Sequence, residues 1–499
     1  MSDIILTTLN ARYIHSAFGL RYLKANLGAL ETACDIIEFT IHQRPIDIAE
    51  QLLRYQAKVI GFGVYIWNVE EICKAISIIK QVSPETVVVV GGPEVSYEQR
   101  QQEVCELSDY VVSGAADFSF RNLCQQLLCG TKPVDKFIPQ QPVNLSELKF
   151  PYHLYTDEDV ANRVVYVEAS RGCPFKCEFC LSALDKTAWP FDLEQFLVHM
   201  DTLYTRGVRH FKFVDRTFNL KIESSIRILE FFLDCMDDDL FLHFELIPDH
   251  LPDRLKEVIV KFPAHSLQFE IGVQTFNSDT QALISRRQND TKTEQNLRWI
   301  RNETQAHIHA DLIIGLPGED VDSFATGFNR LVKLNPHEIQ VGILKRLRGS
   351  PLIRHTEKFQ LRFNSSPPYN ILSNDLIDFS TMQRLNRFAR YWDMIMNSGR
   401  FNNSRALILA GAPFDRFMLL SDWLFRTTGQ THKISLSRLF ELLHQGLNHI
   451  FDMKSDAVES VLLKDFDVSG LKGMPPFISS KANNHLFVNK PSKRRQQRH

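Results

Sequence analysis

At 499 residues the chain has room for two or three domains of about 150 residues each. Its 44% hydrophobic and 23% charged residues are those of an ordinary globular protein with cores of normal size. A net charge of −2 argues against a nucleic-acid partner, and no apolar run approaches the ~20 residues of a membrane span. The opening MSDIILTTLN lacks a basic signal-peptide region, so a reduced cytoplasmic setting is expected.

Residues 1–135 read as a first domain. Apolar, β-branched runs at Ile4–Leu9, Ile36–Ile41, Val59–Ile66, Val87–Val90 and Tyr110–Val112 alternate with helical spacing near 17–29, 46–56, 69–81, 95–106 and 117–128. Near-continuous apolar strands joined by helices predict a parallel sheet covered on both faces. With right-handed crossovers this is a flavodoxin-like doubly wound sheet, which binds ligands beyond the carboxyl ends of its strands. Those ends carry His15, Tyr65, Gly91, Gly92, Pro93 and Gly114. The glycines let backbone approach a bulky ligand, although any turn between strand and helix favours them. Residues 136–159 contain Pro139, Pro142 and Pro151 with little periodicity, and predict a linker.

The alternation resumes over residues 160–350. Strands are predicted at Arg163–Glu168, His210–Val214, Leu240–Leu246, Leu267–Val273, His309–Ile314 and Glu338–Leu344. Helices are predicted at 191–205, 221–235, 252–261, 291–303 and 320–333. This is the pattern of a partial (β/α)6 barrel, whose reactive face lies at the carboxyl ends of the strands.

Directly after the first of these strands stands Arg171-Gly172-Cys173-Pro174-Phe175-Lys176-Cys177-Glu178-Phe179-Cys180. A reduced compartment has little use for disulfides, so three cysteines on one loop read as a metal site of zinc or iron–sulfur type. A structural zinc site is normally closed by four protein ligands. Three ligands and an open position point to reactivity instead. Arg171 either pairs with a carboxylate or is solvated. Cys34, Cys73, Cys105, Cys124, Cys129 and Cys235 are scattered and read as small buried hydrophobes. Residues 351–499 lose the alternation. Helical spacing at 376–397, 413–428, 435–453 and 458–466 predicts a mostly helical C-terminal domain. It ends in a basic tail, Lys490–His499, expected to be disordered and solvated.

The C-x3-C-x2-C loop after a strand, with Phe179 before the last cysteine, resembles the radical S-adenosylmethionine (SAM) enzymes. The resemblance implies that Cys173, Cys177 and Cys180 hold three irons of a [4Fe–4S] cluster, and that SAM takes the fourth. A zinc knuckle is the competing reading of the loop alone. Further stretches carry the same likeness: Phe213–Asn219, G-V-Q-T at 272–275, D-L-I-I-G-L-P-G-E at 311–319 and L-R-G-S-P at 347–351. They imply SAM contacts from the Phe179 backbone, from Glu245 and Gln274, and from Asp215 and Arg216 at the methionyl end. Asp311 and the turn starting at Gly315 would lie near the adenosine. An isolated acid at a strand end can equally be a helix cap or a solvated charge.

The stretches VVVVGGPEVS and VVSGAADFSFRNL resemble the cobalamin-binding domain that precedes many radical SAM cores. The last turn reads G-A-A-D where relatives commonly have G-E-G-E, and the D-x-H-x-x-G signature is absent. His15 lies in the loop that would carry this signature, either as a cobalt ligand or as a hydrogen-bonding residue of the loop. The domain could also bind nothing and serve as an assembly surface. The whole chain resembles cobalamin-binding-domain radical SAM proteins, in a subset with a helical C-terminal extension of unknown function. The resemblance implies reductive cleavage of SAM and methylation of a small-molecule or peptide substrate. An external one-electron reductant of flavodoxin or ferredoxin type would be required. Radical cyclisation or rearrangement is one alternative, and a non-catalytic SAM- or cobalamin-responsive binding protein is another.

Overall fold

In a computed structural model, residues 2–185 and 187–478 are described. The basic tail Lys490–His499 lies outside them. The chain divides into two compact units: one holds residues up to Phe269 with Lys345–Arg354 and Phe363–Asn370, the other Glu270–Leu344, His355–Arg362 and the chain from Ile371.

The first unit opens with β1 (Ile4–Asn10), α1 (Phe18–Ala25), β2 (Cys34–Thr40), α2 (Pro45–Leu53), β3 (Val59–Gly63), α3 (Val69–Val82), β4 (Val87–Gly91), α4 (Glu103–Leu107), β5 (Tyr110–Val112), α5 (Asp117–Leu128) and β6 (Phe137–Ile138). The strand order β2-β1-β3-β4-β5-β6 is the doubly wound order, all pairs parallel. Every residue of β1 is buried because helices cover both faces. Its side chains alternate between two cores: Ile5 and Leu9 pack with residues of α2, α3 and α4, and Ile4 and Leu6 with residues of α1 and α5.

Three local expectations need correction. The helix read over 95–106 is two 3-10 turns followed by the short α4. Glu98 sits at φ +54°, which interrupts a regular helix. The strand read to Ile66 stops at Gly63, and the proline-rich stretch read as a linker supplies a sixth strand. There, Val111 N–H donates to Lys136 and Ser113 N–H to the carbonyl of Ile138. Four scattered cysteines, Cys34, Cys73, Cys105 and Cys124, are buried as expected, but Cys129 is exposed and Cys235 half-buried. Burial pushes the thiols of Cys34 and Cys73 up to about 12 and that of Cys105 up to about 11.

The unit continues with α6 (Asp157–Asn162), β7 (Val165–Val167), β8 (Ser170–Gly172), β9 (Ala188–Pro190), α7 (Leu193–Thr205), β10 (His210–Phe213), α8 (Ile222–Asp234), β11 (Phe241–Leu246), α9 (Asp253–Ile259) and the start of β12 (Leu267–Gln274). The strand order here is β7-β10-β11-β12. Start signals are clear in the sequence. Thr156 and Asp159 form a capping box on α6, and the Asp192 side chain accepts from the Gln195 N–H of α7. The antiparallel pair β8–β9 was not anticipated.

The second unit holds the rest of β12, then α10 (Ser278–Leu283), α11 (Asp290–Glu303), β13 (His307–Ile314), α12 (Val321–Lys333) and β14 (Glu338–Ile343), in the order β12-β13-β14. After the short strands β15 (Arg362–Phe363) and β16 (Ile371–Ser373), the expected helical region follows. It comprises α13 (Phe379–Ile395), α14 (Arg405–Leu409), α15 (Pro413–Thr428), α16 (Leu436–Phe451) and α17 (Ser455–Val468). Proline in its first turn and Gly429 at φ +63° after its end bound α15. Asn397 ties the end of α13 to β14 by exchanging two hydrogen bonds with the Ile339 backbone.

Candidate functional site

The cysteine loop leaves β8 and returns through β9. Arg171 pairs with Trp189 and Gly172 with Ala188, so the two feet of the loop are hydrogen-bonded together. Gly172 runs at φ +98°, and a Cβ there would stand 2.1 Å from the Thr187 carbonyl oxygen. Only glycine fits. Cys173 is buried, while Cys177 and Cys180 are half-buried. Burial raises the Cys173 thiol, and the neighbouring Cys180 and Cys177 add to the rise, so the three thiols lie within electrostatic reach of one another. Glu178, between the last two of these cysteines in sequence, is buried. Its side chain accepts from Arg354 and its carbonyl from the Leu352 N–H at 3.0 Å.

Among the described residues, no set of three His, Cys, Asp or Glu side chains is gathered around a point as ligands of one ion would be. Three thiols on one loop with closed feet are the soft donors that zinc or an iron–sulfur cluster takes.

Beside the loop, Asp215 is buried and accepts from the Ala169 N–H at 3.0 Å and the Ser170 hydroxyl at 2.5 Å. Burial pushes its carboxyl up to about 7, against the downward pull of those hydrogen bonds. Arg216 pairs with Glu245 at 2.8 Å. Phe179 is half-buried.

The same unit contains a cavity of about 330 Å³ at the carboxyl ends of the first sheet. Tyr65, Gly91, Gly92 and Gly114 line it, with apolar walls that include Leu6, Leu20 and Phe120. Pro93 and His15 are not among its lining residues. Gly92 at φ +112° and Gly114 at φ +60° both hold backbone that other residues rarely adopt. Tyr65 stacks on Trp67, ring centroids 4.5 Å apart. His15 Nδ1 lies 2.7 Å from the Tyr166 hydroxyl, and its backbone bridges to Val164. Burial, with Lys212 and Arg12 nearby, lowers its pKa.

Two arrangements escaped sequence reasoning. Asp117, in the G-A-A-D turn, and Glu168 both hold the Arg171 guanidinium, at 3.3 Å and 2.6 Å. Arg171 therefore pairs with carboxylates and also lines the cavity. After the G-G-P turn, Glu94 accepts from Arg348 at 2.9 Å and from the Tyr369 hydroxyl at 2.7 Å, and Glu98 accepts from Arg346 at 2.9 Å. The one available signal was charge: acids after one strand and three basic residues at 345–348.

Gln274, Asp311 and Gly315 belong to the second unit. Gln274 ends β12 at φ +70°. Asp311 lies 3.2 Å from His309, whose other ring nitrogen is 3.7 Å from Glu338. Burial alone would lower His309, but hydrogen bonding and charge from Asp311, with Glu270 and Glu338, carry it up to about 9. Gly315 turns at φ +89°, and a Cβ there would meet Ile371 at 2.7 Å. Buried Glu319 accepts from Thr275 at 2.5 Å, and burial pushes its carboxyl up to about 7.

Three family models match the chain: "B12 binding domain" over residues 4–123, "Radical SAM superfamily" over 167–329 and "Protein of unknown function (DUF4080)" over 357–498. An uncharacterized methyltransferase of Pyrococcus horikoshii is 27% identical over 214 residues, 38% of this chain and 47% of the relative. The cobalamin-dependent radical SAM methyltransferase TokK of Streptomyces tokunonensis is 23% identical over 330 residues, 59% of this chain and 48% of the relative. The chain thus spans about half the length of these curated relatives. Among solved structures, the radical SAM methyltransferase TsrM of Kitasatospora setae, with cobalamin and a [4Fe–4S] cluster bound, shares the fold. Its TM-score is 0.61 at 15% identity, covering 94% of this chain and 99% of that one.

Proposed function

Because the chain joins a B12-binding domain to a radical SAM domain, we propose that it is a cobalamin-dependent radical SAM methyltransferase. Its substrate would be a small molecule or peptide methylated at an unactivated centre. The observation that carries this reading is the three-thiol loop standing in one unit with the glycine-lined cavity.

Cys173, Cys177 and Cys180 are assigned as the cluster ligands, which leaves one iron for SAM. When bound, the cluster supplies the electron for reductive SAM cleavage and cobalamin carries the methyl group. The protein orients both. The β8–β9 pairing holds the feet of the cysteine loop, and Arg354 pairs with Glu178 on it. Asp215 and Arg216 are assigned to the methionyl end of SAM and Glu245 to its polar contacts, and the Phe179 backbone lies next to Cys180 for the adenine. Gly91, Gly92 and Gly114 let backbone approach the corrin, and the apolar cavity suits the flat heteroaromatic end of its nucleotide tail. His15, engaged with Tyr166, is assigned the hydrogen-bonding role and not cobalt ligation.

Anaerobic reconstitution followed by iron, sulfide and corrinoid analysis tests the cofactor set. With dithionite, and with a flavodoxin- or ferredoxin-type protein as the expected reductant, the wild type should cleave SAM and Cys177→Ala should not. Cleavage that survives in Cys177→Ala would sink the cluster assignment. Label from methyl-labelled SAM should appear in product. Cleavage without label transfer would favour cyclisation or rearrangement. Corrinoid binding without any cleavage would favour a binding protein.

A further inference from the structure

Arg171 belongs to two places at once. By sequence it lies two residues before Cys173, on β8, and its backbone pairs with Trp189 of β9. In space its side chain forms part of the wall of the 330 Å³ cavity, together with Tyr22, Asp117 and Glu168. All three guanidinium nitrogens are engaged. Nε and Nη2 donate to Glu168 at 3.2 Å and 2.6 Å, and Nη1 donates to Asp117 at 3.3 Å. The plane stands 4.6 Å from the centroid of the Tyr22 ring.

Neither acid is free to follow a moving arginine. Asp117 opens α5 at the end of the Gly114–Asp117 turn, itself part of the cavity wall. The Glu168 N–H donates to the Tyr152 hydroxyl at 3.2 Å, and Tyr152 is buried. One residue beyond Glu168, Ala169 is tied to Asp215. The planar fork of arginine meets both carboxylates at once, which a lysine cannot do. The cavity wall and the foot of the cysteine loop are therefore one mechanical piece.

We propose that Arg171 couples the cobalamin cavity to the cluster loop, so that filling either site strengthens binding at the other. The coupling rests on the cofactor assignment above and adds a positioning residue shared by both sites. A tail packed into the cavity excludes water from the Arg171–Asp117–Glu168 group. Ion pairs in the drier site strengthen and hold the backbone of β8 in the geometry the cluster needs. A bound cluster fixes the loop from the other end, which pre-sets the cavity wall. Linkage makes the two effects equal in size.

The test is a titration of hydroxocobalamin, read by absorbance, into full-length protein in its iron-free and cluster-reconstituted forms under anaerobic conditions. The cluster-loaded wild type should bind about tenfold more tightly than the iron-free form. Hydroxocobalamin should also slow iron loss to a chelator. In Arg171→Met the affinity ratio should fall to about one, with Arg171→Lys in between. Asp117→Asn, a change on the cavity side only, should also reduce the ratio and serves where Arg171→Met does not fold. A wild-type ratio of one, or a ratio kept in the variants, overturns the coupling while leaving the cofactors assigned. Wild-type protein that retains neither cofactor overturns the cofactor assignment itself.

Discussion

A Cβ on Gly92 would stand 2.6 Å from the Val64 carbonyl oxygen. The residue's φ of +112° also disfavours any L side chain. Gly92→Ala is expected to cost about 1–3 kcal/mol of stability, measured by urea denaturation, and to weaken hydroxocobalamin binding. An unchanged Kd would detach this turn from the cofactor. Two buried carboxyls set a pH dependence. Asp215 and Glu319 are each raised to about 7, so both hold a proton more tightly in the folded chain than in the unfolded one. Their contribution is therefore present below the usual carboxylate range and is lost as pH rises through about 7. Melting temperature should fall across that window, and Asp215→Asn and Glu319→Gln should each flatten the profile. A slope unchanged in both variants would contradict the assignment. The glycines were legible in the sequence because turns demand them. The carboxyl shifts were not, because burial depends on what packs around each group.

Helices and strands with long apolar periods were read nearly to their ends. α3, α5, α12 and α15 match the spacing that predicted them, because a helix that buries one face writes that face into its own sequence. Short pieces were not legible. β6 is two residues long, and β8 and β9 three each, too short to show a period; they exist because a partner strand supplies their hydrogen bonds. The segment 345–354 is likewise held by groups distant in sequence, here through ion pairs. Arg348 is largely buried and meets the buried Glu94, while Arg346 and the Gly349 N–H meet Glu98. Arg348→Met would leave the Glu94 carboxylate buried without its cation. It is expected to cost about 3 kcal/mol, read by urea denaturation. Glu94→Gln, which removes the charge but keeps an acceptor for Tyr369, should cost less. Equal losses would mean that packing, not charge, holds the segment.

At the scale of the molecule, the helical region is built into the second unit and is not a loose appendage. Phe328 of α12 meets Phe388 and Trp392 of α13 and Phe414 of α15, Phe324 meets Phe414, and Phe417 of α15 packs on Phe388 and Trp392, with Phe328 and Trp392 centroids 4.7 Å apart and edge to face. Trp392 is almost fully buried. Trp392→Ala is expected to cost about 3–5 kcal/mol, and a chain cut before α13 should expose the aromatic face of α12 and aggregate. A truncated chain that stays monodisperse by light scattering would show that α12 does not depend on these helices. No helix among the described residues is long and apolar enough to cross a membrane.

By itself the sequence determined the doubly wound first sheet, the alternation of the central region, the helical end and the three-cysteine loop. All of these are encoded by residues close together along the chain. The tertiary structure alone decided what the isolated polar residues do. Arg171 reaches Asp117 across 54 residues, His15 reaches Tyr166 across 151, and Arg348 reaches Glu94 across 254. Local pattern carries no record of such pairs, because a guanidinium, an imidazole or a carboxylate looks the same in sequence whether it faces water or a partner. Folding chose the partner, and with it the role of each group.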